Sequence, residues 1–138
     1  MPFTTGGKMT TSGNLIVNVS GFKNNIGSVK GNLFQPNDNI MLMKKAFKHA
    51  NASIIDQKAK IIFPDIEFGT YAVSVFHDET NVGYLQHKLG FPVDPLGFSN
   101  DFQLSITTGK PSFEKLKFEF QSNNQEIHIV VKKILPMI

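Results

Sequence analysis

Apolar and polar positions alternate at period two through most of this chain, which predicts a protein built of strands. In residues 14–20, Leu15, Val17 and Val19 alternate with Asn14, Ile16, Asn18 and Ser20, the pattern of a strand lying on a core. Residues 21–27 set Lys23, Asn24 and Asn25 between two glycines, a turn composition. Residues 28–34 resume the alternation through Val29, Gly31 and Leu33, so the two segments are expected to pair as a β-hairpin. Residues 35–39 are a breaker cluster containing Pro36, and Asp38 or Asn39 stands where it would cap a short helical turn. Ile40, Met43 and Phe47 lie near helical spacing within the following segment. Short strands are expected at 53–56 and at 60–63, the second stopped by Pro64.

Residues 70–78 carry the strongest strand signal. Tyr71, Val73 and Val75 occupy one parity and Ala72 and Phe76 the other, which predicts a central strand covered on both faces. From Glu79 to Asn100 regular patterns vanish, yet Tyr84, Leu85, Leu89, Phe91, Val93, Leu96 and Phe98 keep the stretch apolar. A long loop of this composition is expected to be ordered and packed on the body. A short strand is expected within 101–107, a turn at 108–111, and a clean strand over 113–120 with Leu116, Phe118 and Phe120 on one side. Gln121 to Gln125 reads as a turn, and Ile127, Ile129 and Val131 mark a last strand. About seven or eight short strands separated by turns predict an all-β chain, a single antiparallel β-sandwich of immunoglobulin- or transthyretin-like type with one short helical turn. The division read from composition is a flexible, Gly-rich arm or engineered remnant at 1–13, the sandwich at 14–133 and an apolar tail at 134–138. That tail, or an open sheet edge, is the expected contact if the chain is a subunit of an assembly.

Composition narrows the chemistry. The chain has 138 residues, 14 Lys, no Arg, 13 Phe, no Trp and no Cys. Disulfides, thiolate metal sites and Cys nucleophiles are therefore excluded, as is the bidentate arginine fork. A net charge of +3, with the lysines scattered in pairs on strand faces, does not point to nucleic acid. No run reaches the ~20 apolar residues of a membrane helix, and the first residues lack the apolar core of a secretory signal. Walker, dinucleotide and H-E-x-x-H motifs are absent.

The sharpest polar cluster is His77-Asp78-Glu79 at the end of the strongest strand. On an extended backbone His77 and Glu79 share one face and Asp78 takes the other. One reading makes these three the ligands of a divalent cation, completed by His87, Asp94 or Asp101, either as a metal-binding module or as a metal-dependent hydrolase. The plainer reading spends Asp78 and Asn81 on loop amides and His77 on loop carbonyls. A metal-free hydrolase would need Ser99 or Ser112 beside His77, but no nucleophile elbow surrounds either serine. Glu79 with Asp101 is a candidate carboxylate pair for a glycosidase arrangement, with turn capping as the competing explanation. Tyr84, Phe91, Phe98 and Phe102 are candidates for a sugar or lipid platform, with loop packing as the competing explanation.

Four ordered motifs then carry a resemblance. They are Phe76-His77-Asp78-Glu79; Leu89-Gly90 with Pro92; Gly97-Phe98-Ser99-Asn100; and Pro111-Ser112-Phe113-Glu114. Together they resemble the bacterial domain-of-unknown-function family 2141 over about residues 14–132. The resemblance implies a small exported β-sandwich, periplasmic or extracellular, without an assigned activity. The family turn after H-D-E often resembles a calcium loop. Here it reads Thr80 to Gln86, shorter and without the expected Asp at position 86, which weakens a metal site. The expectation is a non-enzymatic binding or structural module for a small ligand or protein. Its candidate ligand-binding or loop-organising residues are His77, Asp78, Glu79, Asn81, Phe98, Ser99, Asn100 and Asp101. No cofactor is expected beyond a possible divalent cation.

Overall fold

The computed structural model describes residues 4–5, 8–9, 11–88, 91–105 and 107–133. Its elements in chain order are β1 (Thr4–Thr5), β2 (Lys8–Met9), β3 (Ser12–Ser20), β4 (Ser28–Phe34), a 3-10 turn (Met43–Lys45), β5 (Lys48–Ser53), β6 (Ala59–Glu67), β7 (Gly69–Asp78), β8 (His87–Lys88), β9 (Phe91–Pro92), β10 (Leu96–Phe98), α1 (Phe113–Leu116), β11 (Phe118–Phe120) and β12 (Gln125–Val130). The chain is all-β. Five strands form one sheet in the order β10-β7-β4-β5, with β11 also on β7, and three form a second in the order β12-β3-β6.

One core cluster draws Leu15, Val17, Ile61, Phe63 and Ile129 from the three-stranded sheet and Val29, Leu33, Tyr71, Val73, Val75 and Phe120 from the five-stranded one. The sheets are tied at one edge, where Leu96 and Lys132 exchange both backbone hydrogen bonds, at 3.0 and 2.9 Å. Close by, Gly97 leaves no room for a side chain: a Cβ there would meet Ile129 Cγ2 and Val130 O at 2.6 Å.

As its two-sided pattern predicts, β7 is central and buried from Tyr71 to Asp78. Its odd positions face the shared core, while Ala72 and Phe76 join a second cluster with Phe34, Ile40, Leu96, Phe98 and Leu116. The long loop from Glu79 onward contributes β8, β9 and β10, and its residues Leu85, Leu96, Phe98, Phe102 and Leu104 cover this outer face. The loop is thus a lid over hydrophobic surface, as its apolar composition requires.

Several expectations give way to the structure. Residues 14–20 and 28–34 are strands but not a hairpin: β3 pairs with β6 and β12, and β4 with β5 and β7. Their connection crosses between sheets, and Phe22 within it is buried in the core. The sheet is not purely antiparallel, because β12 runs parallel to β3. Residues 48–53 form β5, which ends where a strand was expected to begin at 53. The one short helical turn expected after the 35–39 breaker cluster is present, as the 3-10 turn at Met43–Lys45.

Pro64 does not stop β6, which runs on to Glu67. The proline sits on an edge strand opposite a register shift between Gly13 and Leu15, and Asp65 beside it has φ +54°. Edges and bulges are where a strand tolerates a missing N–H donor. Residues 102–105 form no strand; Ser105 and Thr108 close a hydrogen-bonded turn instead. The alternation over 113–120 hides a break: Ser112 caps α1 through Lys115 N, so only Phe118–Phe120 is strand. The boundary expected at residue 13 falls inside β3, which begins at Ser12. The tail at 134–138 lies outside the described residues.

The parity of β6 yields a direct test. Phe63 is buried in the shared core, whereas the adjacent Ile62 faces solvent at 46% exposure. Phe63→Ala is expected to cost about 3–5 kcal/mol and Ile62→Ala under about 1 kcal/mol in urea unfolding. Equal losses at the two positions would contradict the assigned faces.

Candidate functional site

The His77-Asp78-Glu79 motif ends a strand whose residues are already covered on both sides, so each polar group must find its partner inside the protein. His77 is fully buried. Its backbone N donates to Pro95 O at 2.9 Å, and its Nε2 donates to Ile26 O at 2.6 Å. That donation places the proton on Nε2 and leaves Nδ1 a buried acceptor that meets no hydrogen-bond donor among the described residues. The imidazole and the Phe22 ring form a T-shaped pair with centroids 5.2 Å apart. Both contacts come from the 21–27 connection, so His77 fastens that loop to the core.

Asp78 is 1% exposed. Its two carboxylate oxygens accept from Val82 N at 3.0 Å and Gly83 N at 2.7 Å, closing the turn that leaves β7. Asn81, at φ +56°, occupies the left-handed region that Asn tolerates, and its Oδ1 accepts from Ser28 Oγ at 3.2 Å. Glu79 points the other way, as strand alternation dictates. It accepts from Asn24 Nδ2 at 2.7 Å and pairs with Lys23 Nζ at 3.4 Å. Gly27 completes the junction with φ +74°. A Cβ there would collide with Asp78 O and would meet Glu79 Cα at 2.7 Å. The motif therefore works as a clamp between two loops, with His77 and Glu79 gripping residues 21–27 and Asp78 holding 81–83.

Ser99 is a second buried polar anchor. Its Oγ accepts from Val73 N at 2.9 Å and donates to Leu116 O at 2.7 Å, joining β7, the end of β10 and α1. Phe98 is buried in the outer cluster. Asn100 and Asp101 take φ +58° and +55° in the turn that follows, where Asn100 Nδ2 donates to Lys115 O at 3.2 Å and Asp101 is exposed. Asp94 accepts from Gln86 N at 2.9 Å, and His87 is exposed on β8.

These positions do not converge as a catalytic or metal centre requires. Among the described residues, no group of three His, Asp or Glu side chains is placed to hold a metal ion. Both hydrogen-bonding roles of the Ser99 hydroxyl are occupied, Ser112 caps a helix, and the His77 proton is committed to Ile26 O, so no Ser–His pair forms. Of the aromatic platform candidates, Phe98 and Phe102 pack edge to face at 5.4 Å in the outer cluster, while Tyr84 is exposed.

One polar set escaped the sequence reading. Asn32, on β4, bridges Ser74 Oγ at 3.2 Å and His49 Nδ1 at 3.0 Å on the neighbouring strands. Its sequence signal is a lone Asn in an alternating strand, which becomes informative only once the register places Asn32 opposite both partners.

The hydrogen bond from Asn24, followed by the Lys23 charge, holds the Glu79 carboxyl below the usual carboxylate range. A depressed folded-state pKa contributes stability that is present above the unfolded value and lost as pH falls through the folded one. With the side chain 32% exposed, the contribution is small. The stability difference between the parent and Glu79→Gln, read as urea midpoints from neutral to acid pH, is expected to shrink as the carboxyl protonates. A gap that stays constant with pH would remove Glu79 as its source. Asp78→Ala removes a buried carboxylate that accepts from two loop amides and is expected to cost about 2–4 kcal/mol. Urea unfolding measures this, and a loss under about 0.5 kcal/mol would show that Asp78 does not hold the turn.

Over residues 17–128 the chain matches the model of a family described as an uncharacterized protein conserved in bacteria, DUF2141. A search of curated proteins and of solved structures found no match. The match spans most of the chain and contains the His77 clamp, the Ser99 anchor and the Ser112 cap, so this all-β chain belongs to the bacterial DUF2141 family.

Proposed function

We propose that this chain is a non-enzymatic binding or structural β-sandwich module of the bacterial cell envelope or extracellular space. The observation that carries this reading is the use made of Asp78. A buried carboxylate at the end of a central strand is the natural place for a general base or metal ligand, yet both of its oxygens are taken by loop amides. His77, Ser99, Ser112 and Asn100 are likewise spent on backbone groups. Side chains committed to their own loops stabilise a scaffold and are not free for turnover.

The strand order supports a transthyretin-like rather than an immunoglobulin-like sandwich. In immunoglobulin constant domains the first strand pairs with the second, whereas β3 pairs with β6 and β12. The family resemblance supports export. Among the described residues no helix is long and apolar enough to cross a membrane.

One preparation tests both parts of the proposal. Protein produced from its own gene in a bacterial host is expected in the osmotic-shock or culture fraction. Its melting curves with chelator and with added Ca²⁺ or Zn²⁺ are expected to coincide. Recovery with cytosolic markers would overturn the location, and stabilisation by several degrees with either cation would overturn the metal-free role.

A further inference from the structure

The connection between β4 and β5 has a surface that the fold does not account for. Ile40 is buried and Met43 and Ala46 pack on the outer cluster, which fixes the segment to the body. Between and beside these anchors, Met41, Leu42 and Phe47 remain 54%, 47% and 40% exposed. Lys44, Lys45 and Lys48 are interleaved with them and also exposed. No acidic residue occurs from Ile40 to Ile55, and among the described residues none of the three lysines forms an ion pair. Lys48 Nζ instead lies 5.2 Å from the centre of the Phe47 ring, which also stacks on Tyr71 with centroids 6.4 Å apart. Other exposed apolar side chains differ in setting: Ile26, Ile55, Val82 and Tyr84 lie on three loops with Asp56 and Glu79 among them, and Ile62 and Val130 lie on strands β6 and β12.

Large apolar side chains flanked by unpaired lysines suit a surface that is anionic outside and hydrocarbon beneath. The apolar groups enter the headgroup and acyl boundary while the ammonium groups stay among the phosphates. A nucleic acid would use the lysines but would leave Met41 and Leu42 without an apolar environment. We propose that the segment from Ile40 to Lys48 is a membrane-docking loop that seats the domain on anionic phospholipid. This surface lies outside the His77 clamp and does not depend on its role.

The test is co-sedimentation of the full chain with vesicles of phosphatidylcholine alone or with phosphatidylglycerol added. Partitioning is expected only onto the anionic vesicles and is expected to weaken with salt. Lys44→Glu/Lys45→Glu is expected to lower the partition coefficient at least about twenty-fold. Met41→Ser/Leu42→Ser is expected to lower it about ten-fold. Both pairs are exposed, so the melting temperatures should stay at the parent value; Lys44→Gln/Lys45→Gln provides a milder version of the charge variant. Lys58→Glu/Lys60→Glu changes net charge equally on a different part of the fold and should leave partitioning near the parent level. Three results would overturn the proposal: no partitioning onto anionic vesicles, an equal loss in the Lys58/Lys60 control, or retention of an oligonucleotide through Lys44 and Lys45 without any vesicle binding.

Discussion

Burial of β7 on both faces is the constraint on which the rest of this molecule depends. Eight consecutive residues, Tyr71 to Asp78, are withdrawn from water. The backbone groups of such a strand must be paired within the protein, and they are: β4 runs along one edge, and β11 and β10 divide the other. The division leaves a gap between Tyr71 and Ser74 on that edge. Ser99 fills it, accepting from Val73 N through Oγ while its own N–H donates to Val73 O. The serine thus completes a ladder, and its burial follows from the strand's.

The same constraint explains the polar end of β7. A carboxylate cannot be buried without donors, and two amides of the outgoing turn are the nearest supply once Asp78 has lost its access to water. The geometry then selects the turn. Both amides must point back at one side chain, Asn81 must enter the left-handed region, and Gly27 must lack a side chain so that the incoming loop can lie against the outgoing one. Residues that read on paper as a catalytic or metal cluster are the solution to a desolvation problem.

Where the sequence was legible, the reason is geometric. Period-two alternation survives any tertiary context, so the two faces of β7 are readable in advance. So is the split that sends His77 and Glu79 to the 21–27 loop and Asp78 to the opposite one. What alternation does not encode is partnership. Leu15, Val17 and Val19 would suit a hairpin with β4 as well as the observed pairing with β6 and β12, and the chain changes sheets through a connection anchored by the buried Phe22. Local chemistry overrode pattern in two further places. Ser112 wins Phe113–Leu116 for a helical turn although Leu116, Phe118 and Phe120 alternate without interruption, and the bulge at Asp65 lets β6 pass through Pro64. Ser99 reads in sequence as a turn residue, a candidate nucleophile or a loop organiser, and its ladder role is hidden because both of its side-chain partners, Val73 and Leu116, lie far away in sequence.

The two ends of the domain differ in how their loops are held. At the His77 end, side-chain-to-backbone and side-chain-to-side-chain bonds fix the incoming and outgoing loops to each other. The β4–β5 connection is held instead by apolar anchors and a few turn hydrogen bonds, Leu42 N to Asn39 O and Lys45 N to Leu42 O among them. A loop needs no large apolar side chains on its solvent side to be anchored from within, and polar residues at positions 41 and 42 would satisfy the same backbone pattern. Exposed Met41 and Leu42 between a buried Ile40 and a row of lysines are therefore unexplained by folding alone, and their cost in water is recovered only against a surface that takes both the apolar groups and the charges.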